Sequence, residues 1–496
     1  MTKHASVRQP LVGLPLVVLL AAGAVPLSAL AVRFAARPTV DLSSLPSSLA
    51  FATIGAAVSA IVGGGLGALA GTLQMPGRRW ALGLSAALLA APPAFWWIGV
   101  SRLPLGLGPI GGALTGGVIA GLLLAPITLL LVLAAAREIP SNAYESARVS
   151  LGATHRLAFV LVPLMRPAVT AGFLLTAILL LGESEIPFLF GFGTSMTDVV
   201  TTFSQTFDAG SSVPIVVPLV ITVLILALLM VKPLFAVLLS APASGRGVIR
   251  KRARMEASIG MFMLPAVVVL ALGGYAYAWA AGIGAEAVWR PSPQSMSTVT
   301  ASIAEPVMCA VASTVLAVFA VYPLRRSSSA RSLAIAGLLL FCVPPAIPAI
   351  GWIAVGQTLG GVSIPPAFAY VSRTIGLPLL AFLIAYSRLP ASFDDASRLV
   401  PMSSIRRACT LVLPLLVPTL AAATALTAAL IFADRDVASL LLAPGESRLM
   451  LNLYLLSANA PSAAIGYSAL AAFSAGAAVI ATAGAAPFVL LVRWRG

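Results

Sequence analysis

Long charge-free gaps divide the chain into stretches that are apolar enough to cross a membrane. A spanning helix needs about 20 consecutive, mostly apolar residues. Twelve such gaps lie between charged residues, six in each half: Arg8 to Arg33, Asp41 to Arg78, Arg79 to Arg102, Arg102 to Arg137, Arg166 to Glu183, Asp208 to Lys232, Glu256 to Glu286, Glu305 to Arg325, Arg331 to Arg373, Arg373 to Arg388, Arg407 to Asp434, and Arg448 to Arg493. The pattern therefore predicts an all-α polytopic membrane protein with about twelve transmembrane helices.

The tenth and the first gaps differ from the other ten. The tenth gap is short, so we expect its helix to begin near Pro365 and to carry Arg373 inside it. The first apolar run, residues 11–32, is longer than the apolar core of a signal peptide, and more spans follow it. We therefore interpret it as a transmembrane helix.

Composition supports the membrane assignment and excludes other classes. Charged residues make up 9% of the 496 residues and hydrophobic residues 59%, whereas a soluble domain carries roughly 25% charged residues. A soluble exterior could not cover so much apolar surface. The net charge of +15 is thinly scattered, which does not favour nucleic-acid binding. The three cysteines are far apart, so they do not indicate a disulfide scaffold.

The basic residues predict the orientation, because they remain on the cytoplasmic side in short loops. With a cytoplasmic N-terminus and alternating spans, 23 of the 30 basic residues fall inside. The seven others fall outside or within a span: Arg33, Arg37, Arg102, Arg290, Arg373, Arg435 and Arg448. We therefore expect both termini to be cytoplasmic and the chain to lie in a plasma (inner) membrane of bacterial type.

Self-comparison indicates an internal duplication. Four features recur in the same order about 250 residues apart: Pro-Pro-Ala at 92–94 and 344–346, Arg137 and Pro140 with Arg388 and Pro390, residues 161–164 with 412–415, and residues 183–185 with 434–436. One match could arise by chance in this Ala/Leu-rich chain, but four ordered matches could not easily do so. Six spans per half is an even number, so the repeats are predicted to be parallel. We expect a first module at 1–241, a second at 242–496, and a pathway between them.

Two predicted cytoplasmic loops, residues 137–166 and 387–414, each have the pattern of a short helix, a break and a second short helix. Pro140 and Pro390 precede the first helix, where proline is tolerated. Gly152 and Pro401 break it. We predict that each loop forms a helical elbow, and we call residues 137–166 and 387–414 the elbows. The alternative is a pair of interfacial amphipathic helices on an anionic leaflet.

The elbows resemble the EAA loops of binding-protein-dependent ABC importer permeases, whose pattern is Glu-Ala-Ala, three residues, Gly and a later Pro. The residues at or beside the matching positions are Glu145, Ser146, Ala147, Gly152 and Pro163 in the first elbow, and Asp394, Asp395, Ala396, Ser397, Pro401 and Pro414 in the second. Both elbows depart from the plain motif. Residues 181–191 and 432–446, followed by Leu453-Tyr454, are similar to parts of fused ferric-iron-type permeases.

The resemblance implies two MetI-like six-helix repeats that form the permease subunit of an ATP-driven importer. In that family the elbows dock on a dimer of a separate ATPase subunit, and an extracytoplasmic solute-binding protein delivers the solute. The resemblance makes a small polar solute the expected substrate, with ferric iron or a thiamine-like compound as the first expectation. The chain has no G-x-x-x-x-G-K-[ST] motif, so ATP would be bound by the partner and no cofactor by this chain.

Other motifs do not indicate an enzyme. The two histidines, His4 and His155, have no metal-ligand partner at a suitable spacing, and we interpret His155 as a solvated helix residue. No catalytic constellation is evident. Gly63, Gly67 and Gly71 form a ladder of small residues that predicts close helix packing.

Charged residues near the membrane supply the pathway candidates, because charge there is expensive and often functional. Two acidic pairs follow equivalent spans: Glu183 with Glu185, and Asp434 with Asp436. They could line the mouth of a pathway for a cationic solute or a metal ion. Alternatively, they are exposed loop carboxylates beside Arg435 and Arg448, or they dock a binding protein. Arg373 either faces the cavity or snorkels to the outer interface.

Two other functions remain open at this point. A 6+6 ion-coupled secondary transporter would need no ATPase and would use an acid within a span, for which Glu305 is the main candidate. A polytopic membrane enzyme would need clustered polar residues facing one side of the membrane, and the sequence contains no such cluster.

Overall fold

The computed structural model describes ten segments of the chain: residues 10–36, 38–74, 112–139, 157–238, 251–252, 293–322, 328–389, 403–443, 445–459 and 469–495. Parts of the elbows at 146, 149–150, 155, 392–393 and 399 are also described. The described part is helical apart from its turns, connections and one two-residue strand pair, which confirms the all-α class. The predicted third and seventh spans, residues 79–102 and 256–286, lie outside the described residues.

The first half contains seven helices in its described part, and the last of them is the longest. They are α1 (Pro10–Ala36), α2 (Leu45–Thr72), α3 (Gly112–Arg137), α4 (Val162–Leu181), α5 (Glu185–Leu189), α6 (Ser195–Thr206) and α7 (Ala209–Leu238). A turn of π-helix, Leu157–Leu161, leads into α4. Two-residue strands β1 (Leu73–Gln74) and β2 (Lys251–Arg252) pair in parallel, so the end of α2 contacts the beginning of the second module.

The described helices of the second half include several shorter ones. They are α8 (Pro293–Val321), α9 (Ser328–Cys342), α10 (Ala346–Thr358), α11 (Pro366–Thr374), α12 (Gly376–Ser387), α13 (Ser404–Arg407), α14 (Leu413–Ala433), α15 (Asp436–Leu441), α16 (Leu449–Asn459) and α17 (Ala469–Arg495). A second turn of π-helix, Ala408–Val412, leads into α14.

Long apolar helices make this a multi-pass membrane protein. Seven helices in the described part are long and apolar enough to span a membrane, and a bent pair, α9 with α10, raises the number to eight. Every predicted span that falls on described residues contains helix, although the ninth and the twelfth each contain more than one helix. The count of twelve stays a prediction, because two spans lie outside the described residues and the first and twelfth are not among the seven or eight.

The ninth and tenth predicted spans are both interrupted. The chain turns by 91° between α9 and α10. Pro344 and Pro345 lie at this break, and neither can donate the backbone hydrogen bond that would continue α9. The tenth span begins at Pro366, next to its predicted start, and carries Arg373 near the junction of α11 and α12.

The glycine ladder of α2 lies against α3, as predicted from its spacing. A Cβ atom on Gly67 would stand 2.6 Å from the carbonyl oxygen of Leu129, and Gly63 and Gly71 similarly face Ala125 and Ala136. Hydroxyl groups strengthen this packing: Ser59 Oγ lies 2.9 Å from Thr128 Oγ1 on α3 and 3.1 Å from Thr176 Oγ1 on α4. Small residues and buried hydrogen bonds therefore hold α2, α3 and α4 together.

Helix α1 belongs to the first half in sequence but packs against helices of the second half. Its main neighbour is α10, where Gly351 allows the backbone of Pro26 to approach closely. At the end of α1, Arg33 pairs with Asp208 at 3.1 Å and donates to Gln357 at 2.7 Å. The buried core accordingly extends across both halves.

The glycine ladder can be tested with a substitution on each side of the same helix. Gly67→Ala places a methyl group against the α3 backbone, so we expect the free energy of unfolding to fall by about 1–3 kcal/mol. Gly65→Ala is the control, because a Cβ atom there meets nothing within 4 Å. Thermal unfolding in detergent measures the difference. Equal melting temperatures for the two variants would contradict this account of the packing.

Candidate transport pathway

The same local construction follows α4 in the first half and α14 in the second. Each long helix begins after a turn of π-helix, and each ends just before a short helix, α5 or α15. Pro163 and Pro414 are the second residues of α4 and α14. Proline lacks an N–H and clashes with the carbonyl four residues earlier, so a widened turn at this point relieves the conflict.

A carboxylate caps each short helix. Glu183 Oε1 accepts hydrogen bonds from the backbone N–H groups of Glu185 at 2.7 Å and Ile186 at 3.2 Å. Asp434 Oδ1 accepts from the N–H of Val437 at 3.1 Å. An acceptor at this position satisfies amides that have no partner inside the helix. Two of the predicted pathway acids therefore also hold the chain breaks in place.

Two ion pairs of the second half involve the predicted pathway residues. Arg373 Nη1 lies 3.2 Å from Asp434 Oδ2, and Arg435 Nε lies 3.2 Å from Asp436 Oδ1. The guanidinium of Arg435 also stacks on Tyr454, with Cζ 3.6 Å from the ring centroid. Arg373 therefore turns inward to an acidic partner and does not snorkel. Its Cζ also lies 5.6 Å from the ring centroid of Phe341.

We call Arg373, Asp434, Arg435, Asp436 and Tyr454 the charged cluster. One hydroxyl group of the first half, that of Ser184, also belongs to it. Ser184 Oγ donates to Asp436, with its two carboxylate oxygens at 2.7 and 2.9 Å. It also accepts a hydrogen bond from Arg435 Nη2 at 2.7 Å. Ser184, Arg435 and Asp436 are 2%, 7% and 5% exposed, so these bonds form away from solvent. The ring of Phe188 adds a contact with Tyr454 between the halves, at 5.3 Å.

A cavity of about 160 Å³ lies beside the cluster and is lined from both halves. Its apolar wall comes from α3, α4 and α14. Its polar lining consists of Glu183, Ser184, Glu185, Arg373, Asp434, Arg435 and Asp436. All five predicted pathway residues therefore meet at one cavity between the halves. They are not the exposed loop carboxylates of the alternative interpretation, since Glu185 and Asp436 are buried and the side chain of Asp434 is 3% exposed.

The elbows are described only in part. Glu145, Ala147, Gly152, Asp394, Asp395, Ala396, Ser397 and Pro401 lie outside the described residues. Ser146 is exposed and helical, and its carbonyl oxygen accepts from Ser150 Oγ at 2.8 Å. His155 is also exposed and helical, as expected, and its ring stacks with that of Phe159.

Three members of the cluster were not among the predicted pathway residues: Ser184, Arg435 and Tyr454. Ser184 has no charge to mark it, and the sequence analysis named Arg435 only as a neighbour of exposed acids. The spacing of the duplication was the available signal for Ser184, because Arg435 occupies the equivalent position 251 residues later.

Comparison of the chain with protein-family models, with curated proteins and with solved structures finds no match.

The Arg373–Asp434 pair predicts a specific pattern of stability. Arg373→Met leaves Asp434 buried without its cation, so we expect a loss of about 3–5 kcal/mol in the free energy of unfolding. Adding Asp434→Asn removes the stranded charge and keeps an oxygen for the cap, so the double variant should regain most of the loss. Thermal unfolding in detergent of both single variants and the double variant measures this coupling.

Arg33→Met is the matched control, because Arg33 and Asp208 pair at 3.1 Å but are 27% and 50% exposed. An exposed pair contributes at most about 1 kcal/mol. A loss for Arg373→Met no larger than that for Arg33→Met would contradict the assignment of a buried, paired charge.

Proposed function

We propose that the chain is the membrane-spanning subunit of an ATP-driven importer, with two permease modules fused in one polypeptide. The solute passes between the two modules, and a separate ATPase dimer drives the movement. The observation that carries the proposal is a recurrence: π turn, long helix, capping carboxylate and short helix appear twice, 251 residues apart. Two copies of one structural unit, facing a shared cavity, suit a pathway between parallel repeats.

A second recurrence, independent of the charged cluster, supports the duplication. Ser48 Oγ on α2 accepts the backbone N–H of Ser195 at the start of α6, at 2.7 Å. Ser302 Oγ on α8 accepts the N–H of Leu449 at the start of α16, at 3.0 Å. Both residues of the second pair lie 254 positions after those of the first. In each half, a serine on a long helix fixes the start of the helix that follows the break.

The elbows support a cytoplasmic partner. Val149 in the first elbow is 90% exposed, and Leu399 in the second is 86% exposed, which is extreme for apolar side chains. Their positions differ by 250 residues, close to the spacing of the duplication. Two equivalent apolar residues, one per module, suit a dimeric partner with two equivalent sites. The chain lacks a phosphate-binding motif, so we assign the ATPase to that partner.

We further propose a bacterial inner-membrane location with both termini in the cytoplasm, and a small polar solute delivered by an extracytoplasmic solute-binding protein. A cavity of about 160 Å³ admits only a small solute or a small group of a larger one. Its charged lining suits a polar solute. Ferric iron or a thiamine-like compound remains the first expectation from the family resemblance.

The main alternative, ion-coupled secondary transport, depends on Glu305. That carboxylate lies 2.8 Å from Arg448 Nε, and Arg448 also lies 3.8 Å from Glu446. An acid that carries a coupling ion should be able to exchange its partner, whereas Glu305 already has a close cation. This observation disfavours the alternative.

The proposed coupling can be tested at the two exposed apolar residues. Val149→Asp together with Leu399→Asp places a charge where the ATPase would cover an apolar side chain, which desolvates that charge. We expect a loss of at least about tenfold in the amount of ATPase that copurifies from native membranes, which corresponds to about 1.4 kcal/mol of binding free energy. Quantitative mass spectrometry of the purified complex measures it.

Val40→Asp is the control, since Val40 is also apolar and 55% exposed but lies in the connection between α1 and α2, away from the elbows. That variant should retain the ATPase. Full retention of the ATPase by the elbow variant, or copurification of no ATPase with the unaltered chain, would count against the proposed function.

A further inference from the structure

We propose that Ser184 and Arg435 form a gate that closes the pathway where it crosses the axis relating the two halves, an inference that rests on the proposed function. The gate is the direct contact of these two side chains. Its positioning residues are Asp436 and Tyr454, which hold Arg435 from the second half alone.

The position on the axis follows from the duplication. When two units are related by a twofold axis, a residue touches its own counterpart only if both lie at the axis. Ser184 and Arg435 are counterparts, because they are 251 residues apart and that is the spacing of the repeated units. Arg435 Nη2 donates to Ser184 Oγ at 2.7 Å. The pair therefore occupies the line along which a solute would cross between the modules.

The two counterparts differ in a way that two identical subunits would not permit. A pair of identical subunits would place two serines or two arginines at this contact. Two arginines would repel each other, and two serines would fill less of the space. The fused chain instead places one small hydroxyl against one long cation, which closes the axis without like-charge repulsion.

At the charged cluster, the hydroxyl group of Ser184 bonds across the two halves, and the Phe188 ring contacts Tyr454. Ser184 Oγ donates to Asp436 and accepts from Arg435. The Arg435–Asp436 ion pair and the stacking on Tyr454 both lie within the second half. Separation of the halves at this point releases the Ser184 hydroxyl group, while the Arg435–Asp436 ion pair within the second half stays intact.

A buried donor favours opening. Among the described residues, Nη1 of Arg435 has no hydrogen-bond partner, although the side chain is more than nine-tenths buried. A buried donor without a partner raises the free energy of the closed state. Water that enters on opening supplies the missing acceptor. The hydrogen bonds of Ser184 thus stabilise the closed state, and the unpaired Nη1 of Arg435 destabilises it. A gate that opens reversibly needs both.

The gate can be tested without an ATPase or a known solute. The purified full chain is reconstituted in liposomes loaded with potassium chloride, and potassium efflux is followed with an electrode. We expect little efflux from the unaltered chain and at least about a tenfold faster efflux from Ser184→Ala, because the hydrogen bonds to charged groups that close the axis are lost. Arg435→Ala, which removes the larger side chain, should leak at least as fast.

Ser59→Ala is the matched control, because it also deletes a buried hydroxyl with two hydroxyl partners, but within one half. Its efflux should equal that of the unaltered chain. Each variant must elute as a single species from size-exclusion chromatography, and Ser184→Ala decides the question if Arg435→Ala does not fold. Efflux from Ser184→Ala equal to that from Ser59→Ala would overturn the gate.

The outcome is separable from that of the proposed function. Efflux is measured on the chain alone, whereas recruitment of the ATPase depends on the elbows. A leaking Ser184→Ala variant of a chain that recruits no ATPase would leave the gate standing and refute the importer. A Ser184→Ala variant that does not leak, in a chain that does recruit an ATPase, would refute the gate and leave the importer standing.

Discussion

Charge that is buried in an apolar helix bundle has to be neutralised by a neighbour, and this requirement organises the centre of the protein. Four acids and two arginines line one small cavity. Arg373 and Arg435 each take an aspartate of their own half, while Glu183 is held by backbone amides of α5. The two chain breaks, the two short helices and the contact between the halves all depend on these partnerships.

The same groups serve both structure and the proposed transport. A break in a helix exposes amides that lipid cannot satisfy, so a break at membrane depth needs a polar side chain beside it. Glu183 and Asp434 accept hydrogen bonds from these amides, and they thereby place charge at the cavity between the halves. A pathway that must admit a polar solute requires polar groups at the same place. The carboxylates that stabilise the helix breaks therefore also form the polar lining of the cavity.

Much of the fold could be predicted because the rules involved are local. Charges are excluded from long apolar stretches, so gaps between charges locate the helices, and the glycine spacing of α2 predicts its close packing. The 91° turn after α9 was not predicted, although Pro344 and Pro345 mark it, because a proline pair also occurs within bent continuous helices. The packing of α1 on α10 depends on contacts far apart in the chain, which no local pattern encodes.

The candidate site was predictable only in part, for the same reason. The acids could be located because charge is rare in this chain, and their spacing revealed that they are equivalent. The partner of Arg373 is Asp434, 61 residues away, and the hydroxyl that meets Arg435 is 251 residues away. Sequence alone left the direction of the Arg373 side chain undecided, since both snorkelling and ion pairing satisfy a lone cation near a membrane interface.

The central proposal is that a partner ATPase drives the movement of the two halves, and we expect ATP binding to draw the two elbows together. The most direct measurement is the distance between spin labels on Val149→Cys and Leu399→Cys, in a chain whose three native cysteines have been replaced, purified with its ATPase. The account predicts a shorter distance with a non-hydrolysable ATP analogue than without nucleotide, and a return to the longer distance when the analogue is removed. An identical distance in both states, with the ATPase bound, would contradict it.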